Sequence, residues 1–415
     1  MTKSVKQLAC NAKMASRKIV SLDATKRKEV LNHMAAKLWD NRETIMEANK
    51  KDLAYAEEIG LNSAMTDRLK LDESRIQGMV DGVKAIAEQP EVVNTFYNEF
   101  KNDAGLTIKR QRIPLGVILM IFESRPNVVV DCAALAIKSS NAIVLKGGKE
   151  AKYSNEILGN LIQDVISDFI PRETVQVLAS DDRSVVNELL SMEEYIDVVI
   201  PRGGHRLVEY VTENAKMPVI AHFKGLCHMY IDEMANPEKA IDLVVNAKTQ
   251  RTGVCNAIET LLVHESLKET LLPKIVNALV DKGTDIRLDS KVKMDHSNIK
   301  AATDEDWATE YLDNILSIKL VSDVDDAISH IGEYGSHHSE CVVSESEETC
   351  NKFLSSVDAS CVMVNASTRF NDGGQLGLGA ELGISTTKIH SYGPMGAEQM
   401  TTSRYVVVGD GHIRQ

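Results

Sequence analysis

Tryptophan is nearly absent from this 415-residue chain, with two copies, aromatic side chains make up only 5% of it, and no two of its seven cysteines are spaced as CxxC. An odd cysteine count without such pairs argues against a disulfide framework or a structural zinc site and fits a reducing cytoplasm, the expected location. Long apolar runs are missing too. The best, Val117–Phe122 and residues 257–263, fall far short of the ~18 residues of a membrane span, and Asp131 interrupts the next stretch. The first twenty residues carry Lys3, Lys6, Lys13, Arg17 and Lys18 without a continuous apolar segment, so no secretory signal is expected. Positive charge is in deficit: 47 Lys+Arg against 60 Asp+Glu gives a net −13, which repels polyphosphate backbones and removes nucleic acid and membrane from the expected partners. With 24 glycines and 9 prolines there is no linker rich in Pro, Gly or Ser, no internal repeat and no low-complexity array.

What is present is a large core. At roughly 150 residues per domain the chain holds two or three domains, and 43% hydrophobic with 26% charged residues is a globular balance. From residue 1 to about 100 the sequence predicts helices: Leu31, Met34, Leu38 and Ile45 recur at three-to-four spacing among charges, and Asp23 with Glu29 suits a helix start. From Ile113 short β-branched runs alternate with amphipathic ones. Strands are predicted at Ala142–Lys146, 174–178, 196–200 and 218–221, with helices over 157–169 and Ser184–Leu190. A second block predicts strands at 229–231, 258–263, 315–320, 341–343 and 362–365, with helices near 237–247 and 266–280. Such alternation means βαβ units, mostly parallel sheets and two α/β domains meeting near 223–225.

Ligands of open parallel sheets bind beyond the carboxyl ends of strands. Two turns there are glycine-rich: Lys146-Gly-Gly-Lys149, and Pro201-Arg-Gly203-Gly204-His205 at the start of a helix. Glycine lets an anion approach the backbone, and lysines and a helix amino end favour its charge. Neither turn is a GxGxxG or Walker A motif, and tight turns with solvated lysines are the alternative. Among the cysteines, Cys10, Cys132, Cys227, Cys341 and Cys361 fall in helical or strand patterns and read as core, while Cys350 sits on a polar helix-like stretch. Cys255 differs. It lies in Thr252-Gly-Val-Cys255-Asn256, a turn ahead of a strand, where a thiolate can attack a substrate and the Cys255 N–H can serve a neighbouring oxyanion; a structural cysteine is the alternative. His337-His338 has no second ligand cluster at metal spacing, so it reads as loop and no metal is expected. Asn365, Ser367, Arg369 and Asp372 follow an apolar strand and either converge on a small charged substrate or face solvent.

Together these segments resemble the aldehyde dehydrogenase superfamily and, within it, the gamma-glutamyl phosphate reductase (glutamate-5-semialdehyde dehydrogenase) family of proline biosynthesis, over nearly the full length. The most specific pieces are Pro114-Leu-Gly-Val-Ile, Glu123-Ser-Arg-Pro-Asn127, Lys146-Gly-Gly-Lys149, Pro201-Arg-Gly-Gly204, Gln250-Arg-Thr-Gly-Val-Cys255-Asn-Ala, Val364-Asn-Ala-Ser-Thr-Arg-Phe370, Gly377-Leu-Gly-Ala-Glu-Leu-Gly-Ile-Ser-Thr386 and Gly393-Pro-Met-Gly396. The resemblance implies an α/β fold of two Rossmann-like domains with mostly parallel sheets and a small oligomerisation β-flap. Residues 1–104 and 113–224 would bind NADP(H), 225–390 would carry the nucleophile, and 105–112 with 391–415 would form the flap and tail.

By the same resemblance Cys255 is the nucleophile, Lys146 touches the adenosine ribose or its phosphate, Glu310 holds the nicotinamide ribose, and Gly203 and Gly204 belong to the cofactor site. Arg125, Asn127, Asn365 and Arg369 are the expected substrate contacts, at least one of the two arginines holding an α-carboxylate. Where hydrolytic members place a glutamate base, about 34 residues before the cysteine, this chain reads Ala221-His222-Phe223-Lys224. Where many place a glutamate for the ribose 2′-hydroxyl it has Lys149, which favours NADP(H). Ungapped counting puts Glu123 at the asparagine oxyanion donor, with Asn127 nearby, so that role stays unassigned. The implied reaction is NADPH-dependent reduction of L-glutamyl 5-phosphate to L-glutamate 5-semialdehyde. A separate glutamate 5-kinase would supply the acyl phosphate, with transient contact, and a homo-oligomer is expected. The alternatives are a hydrolytic NAD(P)-dependent aldehyde dehydrogenase and a non-catalytic scaffold retaining the fold.

Overall fold

A computed structural model describes residues 4–179, 182, 184–221 and 223–414, apart from the side chain of Ala64. The chain forms two units, one of residues 1–221, 377–383 and 395–415, the other of 222–376 and 384–394.

The first unit opens with helices Val5–Ile19, Ala24–Asp40, Arg42–Glu58, Ser63–Leu69 and Glu73–Glu88. Four of them begin where Ser4, Asp23, Asn62 and Asp72 each accept a bond from the N–H three residues on, a cap worth ~1 kcal/mol. Leu31, Met34, Leu38 and Ile45 face inward, fully buried, in one core with Ile118, Met120, Ile143 and Leu145 of the sheet. That sheet is parallel, in the order Val175–Leu178, Ala142–Lys146, Val117–Phe122, Val198–Arg202. Val117–Phe122 is buried at every position, as expected of a central strand covered on both faces. The chain winds to one side of this strand and returns on the other for Val198–Arg202. A topological switch therefore falls at the carboxyl ends of these two strands, where open α/β sheets bind ligands.

The second unit holds seven parallel strands in the order Ile299–Ala301, Asp285–Leu288, Ile315–Val321, Ile258–His264, Cys227–Ile231, Ser339–Val343, Cys361–Val364. Alternation along the strands divides its core: Met229 and Ile231 pack with helices Pro237–Thr249 and Leu272–Val280, Tyr230 with Val324–Tyr334 and Glu347–Ser356.

Several expectations need correcting. The helical opening stops at Glu88, and Phe96–Lys101 is a strand. It joins Thr107–Pro114 and Thr401–Val408 in an antiparallel sheet, so the flap exceeds residues 105–112. The predicted strand at 218–221 makes a single bridge, Val199 to Val219. Residues 266–280 break into the short turn Glu265–Leu267 and the helix Leu272–Val280, because Pro273 can enter a helix only at its first turn. The domain boundaries also move, since 377–383 and 395–415 belong to the first unit and 384–394 to the second. Cys10 and Cys361 are only half-buried, whereas Cys350 is buried. His337 and His338 do lie in the loop before Ser339–Val343, but His338 is fully buried there.

Candidate active site

The second unit carries its candidate site residues at the amino ends of its strands. Cys255 precedes Ile258–His264, Gly225 precedes Cys227–Ile231, Glu310 precedes Ile315–Val321, and His338 abuts Ser339–Val343. Cys255 is half-buried. Gly225 presses on it so closely that a Cβ there would lie 2.2 Å from the Cys255 carbonyl oxygen and 2.5 Å from its Cα and Cβ, an approach open only to glycine. The Gly225 N–H donates to Glu310 Oε1 at 2.9 Å, bringing that carboxylate to the same backbone. From behind, the Cys227 thiol donates to the Cys255 carbonyl at 3.1 Å and lies 3.6 Å from His338 Nδ1. Burial pushes Cys227 well above the ordinary thiol range, so it stays protonated and acts as a donor. Asn256 is gripped twice: its Nδ2 donates to the Asn371 carbonyl at 3.0 Å, and the Thr368 hydroxyl donates to the Asn256 carbonyl at 2.7 Å.

Beneath this turn lies a buried ion pair. Lys248 Nζ and Glu259 Oε2 are 2.7 Å apart, both side chains 0% exposed, joining the helix before the cysteine to the strand after it. The other oxygen of Glu259 accepts from Leu312 N–H at 3.1 Å. Leu312 holds φ +51°, costly for leucine and sustained only where its surroundings dictate it. Burial pushes Glu259 up to about 7, against the pull of Lys248. Lys248→Met should therefore cost ~3–5 kcal/mol at pH 7, because it strands a buried carboxylate. The penalty should shrink as pH falls toward 5, since a carboxyl raised in the folded state takes its proton there first and folding then gains stability with each step down in pH. Urea unfolding at both pH values checks this; an equal loss at both would contradict it.

The first unit gathers three turns at the carboxyl edge of its sheet. Glu150 Oε1 accepts from both Ser124 N–H and its hydroxyl at 2.7 Å, and Glu123 Oε2 accepts from Gly204 N–H at 2.9 Å. A Cβ at Gly203 would stand 2.4 Å from Glu123 Oε2 and 2.7 Å from Leu207 Cδ2, so any side chain there would push these two flexible side chains aside. Lys146 is buried and donates to the Gly147 carbonyl at 2.7 Å. Lys149 is exposed, its ammonium 5.8 Å from the centre of the Tyr55 ring. Arg125 is half-buried in the turn after Val117–Phe122. Asn127 opens the helix Asn127–Lys138 and donates to Asp131 Oδ2 at 2.9 Å. Burial pushes Asp131 up to about 6, opposed by that bond and by Arg202.

Not every predicted contact stands where expected. Asn365 spends its side chain on the chain itself, Nδ2 donating to the Ser344 carbonyl at 2.8 Å and Oδ1 accepting from Ser344 N–H at 3.0 Å, which fixes the end of a strand. Glu123 accepts the Gly204 N–H, so as a carboxylate it offers no donor to an oxyanion. Arg369 is half-buried and donates through Nε to Gln250 Oε1 at 2.9 Å. His222 lies outside the described residues. Among the described residues no group of three or more His, Cys, Asp or Glu could hold a metal, and no helix is long and apolar enough to cross a membrane. Gly225, Lys248 and Glu259 were not anticipated. A charged residue inside the apolar run Ile258–His264 was the available signal for Glu259, whereas Gly225 meets its partner thirty residues on and had none.

Residues 1–314, which carry the half-buried cysteine at one parallel sheet and the glycine-and-lysine edge at another, match the model of the aldehyde dehydrogenase family, and the chain belongs to it. Nearer relatives narrow this. The gamma-glutamyl phosphate reductase of Geotalea daltonii is 45% identical over 100% of both chains. That of Nitratiruptor sp. is 48% identical over 97% of this chain and 98% of its own. The crystal structure of the Thermotoga maritima gamma-glutamyl phosphate reductase has a TM-score of 0.96 at 40% identity, covering 100% of each chain. The chain belongs to the gamma-glutamyl phosphate reductase family, with the aldehyde dehydrogenase-like fold expected of it.

Proposed function

We propose that this protein reduces L-glutamyl 5-phosphate to L-glutamate 5-semialdehyde and phosphate, through a thioester on Cys255. The observation that carries the reading is the clamp on the cysteine turn: Gly225 against Cys255, with Glu310 bonded to the same glycine.

NADP(H) fits the first unit by its donor chemistry. Gly204 N–H already bonds a carboxylate oxygen, and Lys149, after Ala142–Lys146 of the same sheet, is an exposed cation. Lys146, Lys149, Gly203 and Gly204 would hold the adenosine and phosphate portion, and Glu310 the nicotinamide ribose. When bound, NADPH supplies the hydride that reduces the thioester. Cys255 does the rest of the covalent work: its thiolate attacks the γ-carbonyl, the carbon–oxygen bond to phosphate breaks and phosphate leaves. After reduction the carbon–sulfur bond breaks, which frees the aldehyde and restores the thiolate. The Cys255 N–H is the proposed oxyanion donor. With no glutamate at 221–224 to activate water, the thioester survives until it is reduced, which disfavours the hydrolytic alternative.

Incubation with glutamate semialdehyde and NADP+ but no phosphate should leave a γ-glutamyl group on the Cys255 peptide, visible by mass spectrometry. Modification of another cysteine, or none, would overturn the reading. For the cofactor, Lys149→Glu should move preference from NADPH toward NADH by roughly the 10-fold that one charge contact is worth, read from the ratio of kcat/KM values; an unchanged ratio would put the 2′-phosphate elsewhere. Phe96, Phe100, Tyr405, Val407 and Val408 of the three-stranded sheet are exposed, an apolar surface that supports homo-oligomer formation. A cytoplasmic location and transient contact with a glutamate 5-kinase complete the reading.

A further inference from the structure

The turn Thr368–Phe370 is fastened to the residue beside the nucleophile at both ends, by Thr368 to the Asn256 carbonyl and by the Asn371 carbonyl to the Asn256 amide. Arg369 stands between these anchors. It opens, with Asp372, into a cavity of 250 Å³ that Asn246, Gln250, Phe370 and Gln375 complete. This is smaller than the ~300 Å³ at which pockets for drug-sized ligands begin, and suits a head group rather than a nucleotide.

Two opposite charges share this cavity without pairing. The Arg369 guanidinium bonds only through Nε, to Gln250, so neither terminal nitrogen has a protein partner among the described residues. Asp372 Oδ1 accepts from the N–H groups of Gly374 and Gln375, at 3.0 and 3.2 Å, and Oδ2 has no protein partner among them. Half-burial lowers the Arg369 pKa, while the charges of Asp372 and Cys255 raise it. A guanidinium and a carboxylate held apart in a small cavity are complementary to a ligand carrying both charges on adjacent atoms.

We propose that this cavity binds the α-amino-acid end of the substrate, Arg369 taking the α-carboxylate through its terminal nitrogens and Asp372 the α-ammonium. The assignment rests on the reading that glutamate semialdehyde and its acyl phosphate are the reactants. It adds to that reading a reason why an amino acid is preferred to a plain aldehyde. A ligand with one charge leaves the other cavity group desolvated and unmatched, so the site rejects it twice over.

The test is phosphate-dependent NADP+ reduction with three aldehydes: L-glutamate 5-semialdehyde, 5-oxopentanoate, which lacks the ammonium, and 4-aminobutanal, which lacks the carboxylate. Asp372→Asn keeps an oxygen for the Gly374 and Gln375 N–H groups, so the turn is retained, and Arg369→Lys is compared beside Arg369→Met. Asp372→Asn should cut the kcat/KM preference for the semialdehyde over 5-oxopentanoate roughly 30-fold while sparing its preference over 4-aminobutanal. Arg369→Met should do the reverse, with Arg369→Lys between it and wild type. A wild-type protein without preference for the semialdehyde would sink the functional reading and the subsite together. A wild-type preference that both Asp372→Asn and Arg369→Met leave intact would sink the subsite alone.

Discussion

Replacing Cys255 by alanine is expected to lower turnover by a factor on the order of 10⁴ or more, because it removes the atom that forms the covalent intermediate. NADPH binding, followed by quenching of protein fluorescence, should persist, since the residues proposed to hold the cofactor are untouched. Cys227 is the nearest in role, but its thiol is fully buried, bonded to the Cys255 carbonyl and pushed well above the ordinary thiol range. Cys255→Ser should be almost as inactive, because a hydroxyl is a far weaker acid than a thiol and is scarcely ionised at neutral pH. Residual turnover above a hundredth of wild type in Cys255→Ala would remove the thioester from the account.

Gly225→Ala is the second large effect. The added methyl would meet the Cys255 carbonyl oxygen at 2.2 Å, and backbone cannot step aside as a flexible side chain can. The cysteine turn or the Gly225 strand end must move, and either displaces Cys255 from Glu310, whose carboxylate is bonded to the Gly225 N–H. Misplacement by about 1 Å costs on the order of 10² in rate, so kcat should fall by about that factor, with the thermal midpoint lowered by a few degrees through the overpacking. A kcat near the wild-type value would mean that the turn absorbs the methyl and that the close approach does not position the thiol.

The fold was legible where burial leaves no ambiguity. Ala142–Lys146 is wholly buried and reads as a strand from its aliphatic run alone, whereas Val117–Phe122, noted in the sequence only as a short apolar run, is the fully buried central strand. Two short strands at one end of the second sheet escaped: Asp285–Leu288 and the edge strand Ile299–Ala301 carry charges and little periodicity, and their strand character comes from parallel pairing with Ile315–Val321 and with each other. Residues 218–221 show the opposite error, an apolar run with strand composition but only one bridge. At the candidate site, Cys255 stood out in the sequence because it lies in a glycine-bearing turn before a strand, and the structure places it there, half-buried. The sequence around Asn365 does not say that its amide closes on Ser344, since that partner lies twenty-one residues away. Gly225, Lys248 and Glu259 act through partners distant in the chain, so the part of the site that depends on tertiary contact was out of reach of local pattern.

The central claim is that acyl transfer from Cys255 goes to phosphate and not to water. Steady-state NADP+ reduction with L-glutamate 5-semialdehyde, followed with and without inorganic phosphate, tests it most directly. The account predicts sustained NADPH formation with phosphate and, without it, no more than about one equivalent per active site before the thioester accumulates and turnover stops. Sustained phosphate-independent turnover releasing glutamate would contradict it, because water would then be deacylating Cys255.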